Sequence, residues 1–173
     1  MKKLAIIFIA IFGMTFAFTS VNAQNAVETA QTDATIIAPI AITNQVGLNF
    51  GNIVALTGQE TVTVSPAGVR SSSNALSLPT TTPGTVTAAS FTVTGLADAT
   101  YSIVLPAAAF DVTSGANTMS VGTFTSTPSV ATGGTLTGMT ETLTVGATIT
   151  VGASQPAGSY TNSNALTVTV AYN

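Results

Sequence analysis

The chain has 173 residues, 46% of them hydrophobic, with three Lys or Arg against six Asp or Glu and a net charge of −3. Arg70 is the one cation after Lys3, which excludes a phosphate-tracking nucleic-acid surface and a polybasic patch for anionic membranes. With no histidine, cysteine or tryptophan, and no lysine beyond Lys3, the side chains supply no Ser-His-Asp or Cys-His nucleophile, no Schiff base, no usual zinc ligand set and no disulfide.

The first element is a targeting signal. Lys2 and Lys3 precede an apolar run from Leu4 to Phe18, and a small-residue site, Val21-x-Ala23, follows. That layout predicts a secretory signal peptide over residues 1–23, cut after Ala23. The other reading is an N-terminal membrane anchor, but the run is short for a span of ~20 residues and is followed at once by Thr19, Ser20 and Asn22. Cleavage leaves no stable membrane insertion and predicts an exported chain, in the periplasm in transit and then at the cell surface or outside it. Residues 24–34 form an N-terminal extension, and residues 35–173 a single domain.

Between Gln24 and Asn173 there are 31 threonines, and Thr with Val and Ile favours strands. A Thr-, Ser- and Gly-rich chain also suits a flexible stalk, but the hydrophobic fraction is too high for disorder. Ile36, Ala38, Ile40 and Ile42 share one face of a first strand, with Pro39 on the other, the mark of an edge or a bulge. Leu48 and Phe50 begin a short strand that closes on Gly51; Thr61 to Ser65 is the next, and Ala75 to Leu78 reads as another. After the turn-rich PTTTPG, Phe91 and Val93 point inward from Ala89 to Thr94. A Gly95 to Ala99 turn then leads to Tyr101, Ile103 and Leu105. Val121 to Thr125 follows, then Leu143, Val145, Ala147, Ile149 and Val151, and a closing strand with Leu166, Val168, Val170 and Tyr172 on one face. No window shows a helical period. Eight or more short strands at roughly ten-residue spacing predict an all-β, two-sheet sandwich. TVTV-like stretches start at Thr61, Phe91, Thr142 and Thr167 with no fixed period, which argues against a solenoid.

Catalytic chemistry is not expected. Two carboxylates can cleave glycosidic bonds, yet Asp98 and Asp111 sit in the turn-like GLADAT and AAAFDVTSG segments, with no tryptophan platform. The six acids are dispersed, so no calcium cage is expected either. No catalytic residue, cofactor or metal is assigned.

Three stretches carry a family likeness in order along the chain: VGLNFGNI (46–53), ASFTVTGLADATYSIVLP (89–106) and AGSYTNSNALTVTVAYN (157–173). They resemble the Phe-Gly strand and turn, the strand–turn–Tyr strand and the closing Gly-x-Tyr signature of chaperone–usher pilin-like domains, the archaic branch with its spore-coat-U-like relatives. Gly158 stands fourteen residues before Tyr172, as in that signature. The resemblance implies an immunoglobulin-like sandwich lacking its final strand, held by a periplasmic chaperone, delivered through an outer-membrane usher and self-polymerising by strand donation. It implies interaction residues Gly158, Tyr160, Leu166, Val168, Val170 and Tyr172.

The family's frequent disulfide is absent, and the donor segment is thin. In QNAVETAQTD, Val27 is the one large apolar residue, so Ile36 and Ile40 would have to join it; burying a valine alone contributes ~1.5–3 kcal/mol. Two readings of the closing strand stay open: a groove wall awaiting a partner, or the last strand of a complete sandwich with Tyr172 at its rim. The first gives a pilin-like structural or adhesive surface subunit. The second gives a free-standing secreted module binding a glycan or a protein through loops such as Pro66–Asn74 or Ser126–Gly138. An ice-binding face needs long, flat threonine rows, and the irregular strand lengths speak against it.

Overall fold

The computed structural model describes residues 25–163 and 165–173; the predicted signal peptide and its cleavage site lie outside them. The chain divides into two units. Residues 25–35, the described part of the first, carry neither strand nor helix and are exposed, with the Gln31 amide donating to the Asp33 carboxylate. The second unit, Ile36–Asn173, holds all twelve strands found among the described residues.

In order these are β1 (Ala41–Val46), β2 (Asn49–Phe50), β3 (Glu60–Val64), β4 (Arg70–Ser72), β5 (Val86–Thr87) and β6 (Ala89–Thr94). They continue as β7 (Thr100–Val104), β8 (Phe110–Ser114), β9 (Asn117–Thr127), β10 (Gly134–Thr135), β11 (Thr140–Val151) and β12 (Thr169–Tyr172). Every pairing is antiparallel. Seven strands form one sheet in the order β1-β6-β11-β3-β4, with β9 on the other edge of β11 and β8 beyond it. A smaller sheet runs β10-β7-β12, and β2 pairs with β5. The fold is an all-β, sandwich-like arrangement, as the alternation predicts.

β11 organises the larger sheet. On one edge it pairs with β6 through Val145 and with β3 from Ala147 onward. Gly146 stands at the change of partner, where a Cβ would run into the Val64 carbonyl and the Ser65 backbone. Only glycine lets the two partners meet the same edge so closely.

Two core clusters lie on the inner face. In the first, Ala89, Phe91 and Val93 of β6 and Leu143 and Val145 of β11 pack against Tyr101 and Ile103 of β7 and against Leu136. In the second, Val62, Val121, Ala147, Ile149 and Val151 are covered by half-buried Phe50, Ile53, Ala55, Leu78 and their neighbours. Strict alternation also carries Glu60 into the inner row with Val62 and Val64, where it is 4% exposed and neither carboxylate oxygen has a hydrogen-bond partner among the described residues.

Several expectations are corrected. Ala75–Ser77 is a 3-10 turn, not a strand: the Asn74 side chain accepts from the Leu76 N–H and caps it. Phe110–Ser114 is a strand, so Asp111 stands on the exposed face of β8 rather than in a turn. Asp98 does lie in a turn, at φ +61. The first strand begins at Ala41, not near Ile36, because its partner β6 ends at Thr94, opposite Ala41, and leaves Ile36 nothing to pair with.

Candidate functional site: an apolar seam and a neighbouring groove

β12 pairs with β7 alone, Thr169 with Val104 through Tyr172 with Tyr101, and β1 pairs with β6 alone. These two strands are the outer edges of their sheets on the same side of the molecule and approach each other. The residues between them are apolar and only half-buried: Ile40 and Ile42 from the β1 side, and Leu166, Val168, Val170 and Tyr172 from the β12 side, all packed against the first cluster. Thr167, Thr169 and Ala171 point outward and are exposed. The alternation read from the sequence holds along the whole stretch, although strand pairing begins only at Thr169. The result is an apolar seam bordered by two edges whose outward backbone groups have no strand partner among the described residues.

Tyr172 closes one end of the seam. Its hydroxyl accepts from the Leu96 N–H at 2.6 Å and donates to the Ala38 carbonyl at 2.9 Å. The space it occupies exists because residue 95 is glycine: a Cβ there would collide with the Tyr172 hydroxyl and come within 2.9 Å of Leu136. The glycine turn and the penultimate tyrosine, two separate motifs in the sequence, are therefore one contact in the fold.

Gly158 and Tyr160 lie elsewhere. They belong to a wall running from Gln155 to Ser163, which faces a second wall, Gly47 to Ala55, across a groove of about 1120 Å³. Its floor is the second core cluster, with Val121, Ile149 and Val151 beside Phe110, Val112 and Met119 on neighbouring strands of the larger sheet. Both walls are tied down by polar bonds. Tyr160 donates to Pro156 O at 2.7 Å and accepts from Gln155 Nε2 at 3.0 Å; Thr161 exchanges backbone bonds with Thr113, and Asn162 Nδ2 reaches Asp111 O. On the far side Arg70 Nη1 donates to the carbonyls of Phe50, Asn52 and Pro83 at 2.8, 2.9 and 3.2 Å, and Val54 N–H reaches Ser77 O. Leu48 packs against both clusters and joins the groove to the seam.

Of the residues singled out in the sequence, then, Leu166, Val168, Val170, Tyr172 and Ile40 converge on the seam, while Gly158 and Tyr160 serve the groove. Ile36 is 98% exposed and Val27 81%. The Pro66–Asn74 and Ser126–Gly138 segments line neither opening; they hold β4 and β10. Sequence reasoning missed the Gly47–Ala55 wall as a site, since its anchor, Arg70, is distant in sequence and gives no local pattern. Among the described residues the buried Tyr101 hydroxyl has no partner of good hydrogen-bond geometry, though the Glu141 carboxylate lies in the same tight space beside Gly134. Burial first, and that carboxylate second, hold its proton well above the usual phenol range. Among the described residues no group of three or more His, Cys, Asp or Glu is placed to hold a metal ion, and no helix is long and apolar enough to cross a membrane.

A model of a domain of unknown function, DUF4402, matches residues 40–172. No curated protein and no solved structure matches the chain.

Proposed function

The chain belongs to the DUF4402 family, and on that footing we propose that it is a non-catalytic, exported surface subunit that polymerises by taking a strand of a second copy into the seam between β1 and β12. One observation carries the reading. A half-buried apolar row lies between two sheet edges that have no strand partner among the described residues, which is the geometry that strand addition completes. An inserted strand gains backbone hydrogen bonds from β12 or β1 and covers Leu166, Val168 and Val170. Ile36 and Ile37, exposed ahead of β1, are the apolar residues that the chain itself offers as a donor. The resemblance to chaperone–usher domains supports the same reading and adds a periplasmic chaperone and an usher, which would guard the β12 edge in transit.

The test is an immunoblot of the cell-surface fraction on an SDS gel, with and without boiling. A ladder that collapses on boiling is the expected result; a single monomer band in both lanes overturns the proposal. A second reading rests on the groove: a stable monomer that recognises a glycan or a protein between the Gly47–Ala55 and Gln155–Ser163 walls. It predicts the single band together with retention on a specific ligand.

A further inference from the structure

Tyr172 spends both hydrogen-bonding capacities of its hydroxyl on backbone of two separate segments, the β6–β7 turn at Leu96 and the arm ahead of β1 at Ala38. The arm has little else to hold it. Ile36 to Pro39 are exposed, Ile36 at 98% and Ile37 at 50%, and only Ile40 begins to bury. Among the described residues no backbone–backbone hydrogen bond outside the strands reaches residues 36–40. The arm is thus packed at Ile40 and tethered at a single carbonyl two residues before it, beside the edge of β12.

We infer that the Tyr172 hydroxyl is a latch: it pins the arm across one end of the seam, and a second copy's strand enters fully only when the Ala38 bond opens. The inference rests on the strand-accepting reading above and adds its regulation. The same event serves both partners of a joint, because opening the latch clears the end of the seam and frees Ile36 and Ile37 to leave as a donor. Gly95 is the second part of the device, since any side chain there displaces the hydroxyl from its notch. A neutral hydrogen bond shifts such an equilibrium about two- to tenfold, so the latch slows entry without preventing it.

The experiment compares the full chain with Tyr172→Phe, which keeps the ring against the core and removes both bonds, and with Gly95→Ala, which keeps the tyrosine and fills its notch. Hydrogen exchange of the Leu96 amide and NMR order parameters of Ile37 and Ala38 read the latch itself. Uptake of a fluorescent peptide of sequence ATIIAPIAIT, residues 34–43, reads access to the seam. Expected in both variants are exchange about two- to tenfold faster at Leu96, lower order parameters in the arm and peptide uptake faster by a similar factor. Unchanged exchange and order parameters overturn the latch. A loosened arm with equal uptake in all three proteins overturns its regulatory role. A loosened arm with no uptake in any of them overturns the strand-accepting reading and, with it, the regulation, leaving Tyr172 as a structural tether only.

Discussion

The two halves of the interior are built from similar strands and closed differently. The first cluster has a sheet above it: Tyr101 and Ile103 of β7 descend onto Phe91, Val93, Leu143 and Val145, and all are buried. The second has walls of irregular chain above it, and Phe110, Val112 and Met119 remain half-buried at the bottom of a groove. The difference teaches that β11 alone does not fix how well its inner face is covered. The covering element decides, and a strand brings alternating side chains at regular spacing whereas a loop must be tied down bond by bond.

The comparison is broken most directly by truncation. Leu143→Ala in the sheet-covered half is expected to cost about 2–5 kcal/mol, while Val112→Ala in the loop-covered half is expected to cost about 1 kcal/mol. Chemical denaturation measures both, and equal losses would dissolve the distinction between the halves. Next in size is Arg70→Met, which strips one donor from three carbonyls and is expected to cost about 1–3 kcal/mol. Faster amide exchange should then be confined to the Gly47–Ala55 wall and its Pro83 support. Tyr160→Phe removes one bond given and one received on the opposite wall, for a loss of about 1 kcal/mol. The smallest effect at neutral pH belongs to Tyr101. Its folded-state proton affinity is raised, so an unfolded chain ionises first, near the ordinary phenol value of about 10. The contribution of Tyr101 to stability is therefore constant below that pH and falls as pH rises above it. Tyr101→Phe should flatten the alkaline limb of a stability–pH profile, and an unchanged limb would show that Tyr101 does not drive it.

How much of this was legible in the sequence depends on the alternation itself. Period two was enough at Val62 and Val64, Phe91 and Val93, Tyr101 and Ile103, Leu143 to Val151, and Leu166 to Tyr172, which all face as read. Alternation misled at Ile36, because a pattern continues in sequence after its partner strand has stopped. β8 was missed because it offers only Phe110 and Val112 to the interior, between an alanine run and a Ser-Gly turn. β4 carries no apolar residue at all, and its place follows from pairing with β3. The seam's row was readable in the closing strand, whereas its closure by Gly95 and Ala38 depends on contacts across 76 and 134 residues. Glu60 was not expected inside; a charged residue heading an apolar alternation follows its neighbours inward.

The Arg70 clamp reaches beyond stability. Past Lys3 it is the one peptide site in the chain that a trypsin-like protease can cut. Its guanidinium, the group such an enzyme must capture, is held by three backbone carbonyls. The chain is thereby closed to trypsin-like proteases while the Gly47–Ala55 wall stays in place. When that wall opens, one cut, between Arg70 and Ser71, records the event, and its rate follows the population of the opened wall when reclosing outpaces cleavage.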